Sequence, residues 1–383
     1  MKLSSRSQTP PFHAMDVLAE AQELARAGRD IIHMEVGEPS HPAPRAAQQR
    51  LNADMAAGAG LGYTNGLGIP ALRSAIADLY RTRYGLDLDP NRVVVTAGSS
   101  AGFILSFLTL LEAGDRLGMV EPGYPCYRNI SSAFGIEAVP LMATLEDRYQ
   151  PTPALLDAAG RLDALLVASP SNPTGTIVAR DRMQDLVRYC ADAGTALISD
   201  EIYHGITYGA PAVSALEFTQ ETVVINSFSK YWSMTGWRIG WMIVPDRFVR
   251  VCQNLAQNLF ICPCHASQVA ALGALSDEGM AEVLPYIEDY AESRQSLMTS
   301  LPVMGFEGIA PSDGAFYIYA DISGFGRHSA DFCREILHEA GVAITPGLDF
   351  DPVRGTKTVR LSYAQKPALI REGIERMARL LSP

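Results

Sequence analysis

The chain has 383 residues, 48% hydrophobic and 19% charged: enough apolar mass for two domains with a large core, and too ordered a composition for a disordered chain. Its 31 basic and 42 acidic residues leave a formal charge of −11, which argues against a general nucleic-acid binder but leaves room for anionic small molecules at a local arginine cluster. No apolar run has the length of a membrane span, Met1–Pro11 lacks the apolar stretch of a secretory signal, and six scattered cysteines read as reduced thiols of a cytoplasmic protein.

In chain order, a helix is predicted around Met15–Ala27. Six short, continuous apolar strands follow, at Arg92–Thr96, Arg116–Val120, Ala164–Ala168, Ala196–Ser199, Thr222–Asn226 and Gly240–Val244. Such runs are covered on both faces. With helical stretches between them, such as Ala101–Glu112 and Arg180–Ala193, they give the pattern of an α/β domain with a mostly parallel sheet. Cys262-Pro263-Cys264-His265 lacks the spacing and the second ligand pair of a zinc site and reads as a packed loop. The last hundred or so residues differ. Ser329 is expected to cap a helix carrying Phe332, Ile336 and Leu337 and ended by Gly341. Thr358–Ser362 reads as a strand, and a final helix puts Leu369, Ile370, Ile374, Met377 and Leu381 on one apolar stripe. The expected division is an N-terminal arm and helix over residues 1–40, a large domain over 41–285 and a C-terminal segment over 286–383. The first and last segments together would make a smaller, discontinuous α+β domain.

In open α/β sheets, ligands bind outside the carboxyl ends of the strands. Five of the six predicted strands run into residues suited to a charged ligand. These are Gly98-Ser99-Ser100, the Glu121–Pro125 turn with Tyr124, the Ser169–Gly175 turn with Asn172, Asp200-Glu201-Ile202-Tyr203, and Ser227-Phe228-Ser229-Lys230. Together they would ring one cleft. Taken singly, each has a plainer reading. Lys230 reads as a solvated lysine, Asp200 as a helix N-cap and Asn172 as a turn residue. Tyr124 reads as a core aromatic, Arg238 as half of a surface ion pair and Tyr63 as a loop aromatic.

Ser227-Phe228-Ser229-Lys230, followed by Gly236-Trp237-Arg238-Ile239-Gly240, resembles the lysine signature of class I/II aminotransferases. These are pyridoxal-phosphate enzymes of fold type I, like aspartate aminotransferase. The resemblance runs from Gly37-Glu38-Pro39 through Tyr63 and the strand-end motifs to Val359-Arg360-Leu361-Ser362. It implies an α/β large domain with a mostly parallel mixed sheet and a small α+β domain. It also implies an enzyme that moves an α-amino group between an L-amino acid and a 2-oxo acid, with ping-pong kinetics and pyridoxal 5′-phosphate as cofactor.

The roles implied by that family are as follows. Lys230 holds the cofactor as a Schiff base and moves the substrate proton, with Arg238 expected to depress its pKa. Asp200 partners the pyridine N–H, Tyr203 and Asn172 the phenolic oxygen, and Tyr124 stacks on the ring. Gly98, Ser99 and Ser100 at a helix start, with Ser227, Ser229 and Arg238, take the phosphate. Arg360, with Asn172 and the Gly37 N–H, takes the substrate carboxylate. Tyr63 reaches the phosphate of a neighbouring subunit, which makes the active unit a homodimer. Val36, Tyr63 and the Asn258–Cys262 segment are candidates for the side-chain pocket. Asp351 follows Phe350 where the family often has Gly, a departure that either alters the loop before Arg360 or changes nothing, and that bears on the substrate pocket rather than the cofactor site. A pyridoxal-phosphate C–S lyase of the same fold would use the same residues. A non-catalytic binding protein that keeps the fold is a more distant alternative.

Overall fold

The computed structural model describes residues 1–381. Up to Asp200 it contains strands β1 (Ile32–His33), β2 (Val93–Thr96), β3 (Arg116–Glu121), β4 (Glu137–Met142), β5 (Ala164–Ala168) and β6 (Ala196–Asp200). Strands β7 (Thr222–Ser227), β8 (Gly240–Ile243), β9 (Tyr317–Asp321), β10 (Val342–Ala343), β11 (Thr345–Pro346) and β12 (Thr358–Ser362) follow. All six predicted large-sheet strands form, each within one residue of its expected ends.

These six and β4 make one sheet in the order β2-β8-β7-β6-β5-β3-β4. Strand β8 alone runs antiparallel to its neighbours β2 and β7, so the sheet is mixed and mostly parallel. Alternate residues feed two apolar layers. Val93, Val95, Leu165, Val167, Leu197, Val224, Trp241 and Ile243 pack on one face. Val94, Leu166, Ile198, Val223, Ile225 and Met242 pack on the other. Both faces are buried, which is why these strands read as unbroken apolar runs. Sequence reading missed β4. It lies at the sheet edge, alternates in burial and contains Pro140, a residue that edges tolerate and central strands do not.

A second sheet, β11-β12-β9, is antiparallel, and β1 pairs in parallel with β10 through Ile32↔Val342. The two ends of the chain are thus stitched together. The N-terminal helix, His13–Arg26, is held to the C-terminal part by the Asp349 carboxylate, which accepts from the His13 and Ala14 amides at 2.8 Å each. These are orphan donors of the first helical turn, and an anion there also meets the positive end of the helix dipole. The helix Asp277–Val303 runs unbroken across position 285, where a domain boundary was expected.

Two details of the C-terminal region differ from expectation. The cap of the Ser329–Glu335 helix is His328, whose Nδ1 accepts from the Ala330 amide at 3.3 Å, while Ser329 donates to the Gly355 carbonyl at 2.7 Å. In the last helix, Pro367–Leu381, Ile370 and Met377 are buried but Leu369 is exposed, because it lies one residue off the inward-facing stripe. Gly341 does end its helix, with the left-handed φ of 67° expected of a C-terminal glycine. Among the described residues, no helix is long and apolar enough to cross a membrane.

Candidate active site

A cavity of about 340 Å³ opens at the carboxyl ends of the large sheet. Ser99 and Ser100 enter it after β2, Tyr124 after β3, Asn172 after β5, Asp200 and Tyr203 at the end of β6, and Ser229 and Lys230 after β7. Arg238 joins them just before β8. Val36, Gly37 and Glu38 come from the segment after β1, Tyr317 from β9 and Arg360 from β12. Phe12, Ala14, Met15 and Leu18 close one wall.

Lys230 Nζ donates to the Gly37 carbonyl at 2.7 Å and sits 5.9 Å from the centre of the Tyr203 ring. Burial pushes its amine down to about 8, with the positive charge of Arg360 acting in the same direction and Glu38 opposing. The expected contribution of Arg238 is present but ranks below these. Asp200 is buried and begins no helix. Its Oδ1 accepts from the Ile202 amide at 3.0 Å, and its Oδ2 accepts from the Tyr127 hydroxyl. Burial raises this carboxyl to about 6, against the pull of those two donors.

The helix Gly98–Leu110 starts three residues earlier than predicted, and its N-cap residue Ala97 makes no side-chain cap. Its first amides are therefore free for an anion. Gly98 has φ +73°, and a Cβ there would stand 2.6 Å from Arg238 Nη2, so glycine lets the guanidinium lie against the helix start. Among the described residues no ion pair involves Arg238; its Nη1 donates to the Thr235 carbonyl at 3.0 Å, and Thr235 Oγ1 donates to Glu38 at 2.6 Å. Ser229 lines the cavity. Ser227 does not: its hydroxyl lies behind, 2.9 Å from Ser229 Oγ and 3.1 Å from the Ile239 carbonyl.

Arg360 is 2% exposed and lies against two rings, its Cζ 4.5 Å from the Tyr317 centroid and 4.6 Å from that of Phe350. Nη1 donates to Asn172 Oδ1 at 3.0 Å and Nη2 to the Glu35 carbonyl, while the buried Nε has no partner among the described residues. A buried guanidinium with a donor to spare suits an anionic ligand. Tyr203 and Tyr317 share a hydroxyl bond of 2.7 Å. Gly37 must be glycine here, since a Cβ would fall 1.8 Å from the Tyr317 hydroxyl.

The family model described as aminotransferase class I and II matches residues 29–377. The chain belongs to the class I and II aminotransferases. It is 43% identical over 379 residues to a valine–pyruvate aminotransferase of Mycobacterium tuberculosis, covering 98% of this chain and 97% of that one. The crystal structure of a protein from Silicibacter pomeroyi, assigned as an aminotransferase, has a TM-score of 0.93 at 51% identity, covering 100% of this chain and 99% of the other. The aspartate aminotransferase of Thermus thermophilus with maleate has a TM-score of 0.93 at 30% identity, covering 99% and 100%. This aminotransferase accordingly has the type I fold, transfers amino groups between amino and oxo acids, and depends on pyridoxal phosphate. The cavity fits that cofactor. The uncapped helix start beside Arg238 suits a phosphate, the buried carboxyl of Asp200 suits a ring N–H, and the half-buried amine of Lys230 suits an aldehyde.

Of the residues expected in the site of the aminotransferase, Tyr63 stands apart. It is 88% exposed and does not line its own chain's cavity, and neither does the 258–262 segment. The Cys262–His265 run instead holds the Tyr63 loop in place. Cys262 Sγ accepts from the Thr64 amide at 3.4 Å, and His265 Nδ1 lies 2.9 Å from the Gly62 carbonyl. Sequence reading missed Tyr127, Tyr317, Glu38 and Thr235. For Tyr127 there was a signal: it lies three residues after Tyr124, a spacing that puts both rings on one side of a helix start.

Proposed function

We propose that the enzyme exchanges the amino group of an L-amino acid with an apolar side chain for that of a 2-oxo acid, with Lys230 as its catalytic residue. The reading is supported above all by the single cavity that Lys230, Asp200, Arg238 and Arg360 share. When bound, pyridoxal phosphate supplies an aldehyde for the amino group and a ring that withdraws electrons from Cα. Lys230 holds the cofactor through its amine and carries the substrate Cα proton, as base and then as acid. A pKa of about 8 lies close to physiological pH, which suits both tasks. Asp200 holds the ring N–H, and burial strengthens that contact. Tyr203 and Asn172 would take the phenolic oxygen, and Tyr124 would pack on the ring. Gly98, Ser99, Ser100, Ser229 and Arg238 take the phosphate, with Ser227 supporting Ser229. Arg360 and the Gly37 N–H take the substrate carboxylate. The amino group stays on the enzyme between two half-reactions, so the kinetics are ping-pong.

The apolar wall of Phe12, Met15, Leu18, Val36 and Ile130 supports the side-chain preference. The M. tuberculosis relative, whose name specifies valine and pyruvate, points the same way. The exposed Tyr63 supports a homodimer in which it reaches the partner's site. Residues 1–40 and 286–383 act as one small domain, supported by the β1–β10 pairing and the Asp349 cap, and the cytoplasm is the proposed location.

The test is a half-reaction screen. Cofactor-loaded enzyme is mixed with single L-amino acids while its visible absorbance is followed. Valine, leucine and alanine are expected to bleach it, and a 2-oxo acid to restore it. If aspartate bleaches faster than valine, the side-chain preference is wrong. Ammonia released without any acceptor would make the enzyme a lyase instead.

A further inference from the structure

Asp351 follows Phe350 in the loop before Arg360, and it is fully buried. A buried carboxylate needs partners, and Asp351 has three. Oδ1 accepts from the Val353 and Arg354 amides at 2.9 and 2.8 Å, and Oδ2 accepts from Arg354 Nε at 2.6 Å. The rest of the Arg354 fork points the other way, into the large sheet. Nη1 donates to the Ala143 carbonyl at 2.9 Å and Nη2 to the Glu121 carbonyl at 2.8 Å.

Two more bonds reach the same loop: the Gly123 amide to the Phe350 carbonyl at 2.8 Å, and Arg128 Nη2, from the helix Pro125–Phe134, to the Asp349 carbonyl at 2.6 Å. The loop so fastened carries Phe350, whose ring lies under the Arg360 guanidinium, and Asp349, which caps the helix bearing Ala14 and Met15. The segment it is fastened to, Glu121–Tyr124, presents Tyr124 to the cavity.

We propose that Asp351 and Arg354 are positioning residues for substrate recognition: their ion pair pins loop 349–354 to the Glu121–Tyr124 segment and so fixes Arg360 relative to the cofactor end of the cavity. This rests on the reading that Arg360 takes the substrate carboxylate. Arg360 lies against two rings, and only one of them, Tyr317, is on a strand of its own sheet. The other wall is a loop residue, held by its own bond to the Gly123 amide and, through its loop, by the Arg354 fork. If that fork lets go, the loop keeps the Gly123–Phe350 bond but loses its charged anchor, and Phe350 can shift against the guanidinium. Misplacement by about 1 Å is enough to cost an enzyme on the order of 10²-fold.

The test separates carboxylate recognition from general damage. Holoenzyme variants Asp351→Asn and Arg354→Met are compared with the parent in the half-reaction with L-valine, or the amino acid the screen ranks first. The same assay is run with the matching amine that lacks a carboxylate, which for valine is 2-methylpropylamine. Both variants are expected to lower the preference for the amino acid over the amine by roughly tenfold, chiefly through KM, with the cofactor absorbance and the amine rate unchanged. Asp351→Asn keeps an acceptor for the two loop amides, so it reports on the ion pair even where Arg354→Met folds poorly. If amino acid and amine slow equally, or if only the melting temperature falls, Asp351 and Arg354 are merely structural and the proposal is overturned. Arg360→Met serves as the control. If that change leaves the preference intact, the assignment of Arg360 fails rather than the clamp.

Discussion

The two ends of the cavity are built on opposite plans. At the cofactor end, the turns after β2, β3, β5, β6 and β7 converge from one sheet, and every strand between them is buried on both faces. At the carboxylate end, Arg360, Tyr317, Gly37 and Phe350 come from β12, β9, the segment after β1 and a loop. There, contacts span up to 336 residues of sequence, as between Asp349 and His13. A sheet fixes its tips through a ladder of backbone hydrogen bonds, whereas the carboxylate end is fixed one side chain at a time. Substitutions at the cofactor end should therefore cancel chemistry outright, and those at the carboxylate end should change which ligands are accepted.

The largest effect is expected at Lys230. Lys230→Ala removes both the anchoring amine and the proton carrier, and turnover should fall on the order of 10²–10⁴-fold or more, together with the loss of covalently held cofactor on denaturation. Since Lys230 donates only to the Gly37 carbonyl, the melting temperature should change little. A variant that still transaminates within tenfold of the parent would remove Lys230 from the chemistry.

Next comes Arg360. Arg360→Met keeps bulk between Tyr317 and Phe350 but leaves Asn172 Oδ1 and the Glu35 carbonyl without their donor. Loss of a buried, charge-assisted contact to the substrate costs about 2 kcal/mol or more, roughly thirtyfold in kcat/KM for amino acids. The amine half-reaction should be spared. If both substrates suffer alike, the division between the two ends does not hold.

The same division explains what was legible in the sequence. Strand tips are local: an apolar run followed by Gly-Ser-Ser or Ser-Phe-Ser-Lys declares both the strand and the ligand-facing turn, and five such tips sufficed to assemble one wall of the cavity. Ser227 shows the limit of that reading. Its place in the motif suggested a ligand contact, whereas its hydroxyl faces Ser229 and the Ile239 carbonyl. The carboxylate end was nearly silent, except at Gly37 and Arg360. Tyr317 enters the site only because Gly37 lacks a Cβ at a point nearly three hundred residues away, and no spacing in the sequence encodes that approach. Asp351 was visible as an oddity, but its partner Arg354 and the carbonyls of Ala143 and Glu121 were not.

The smallest expected effect compares two buried carboxyls behind the cofactor end, at the tips of β6 and β3. Glu201 follows Asp200 and faces away from the cavity. Its Oε1 accepts from Ser199, Ser214 and the Ala215 amide at 3.1, 3.0 and 2.9 Å, yet burial outweighs those donors and raises it to about 8. Glu121 ends β3 beside Arg128, and burial raises it to about 7. An unfolded glutamate loses its proton near its ordinary value of 4.5, so above that pH the folded protein holds protons that the unfolded chain has released. Stability should therefore fall as pH rises from about 4.5, ceasing near 7 for Glu121 and near 8 for Glu201, at a rate of at most about 1.4 kcal/mol per pH unit for each group. Glutamine cannot ionise. Glu201→Gln should thus gain on the parent in melting temperature between pH 5 and pH 8, and Glu121→Gln should stop gaining about one unit earlier. A constant offset across the range would mean that both carboxyls are already ionised at pH 5, and that the hydrogen bonds around them outweigh burial after all.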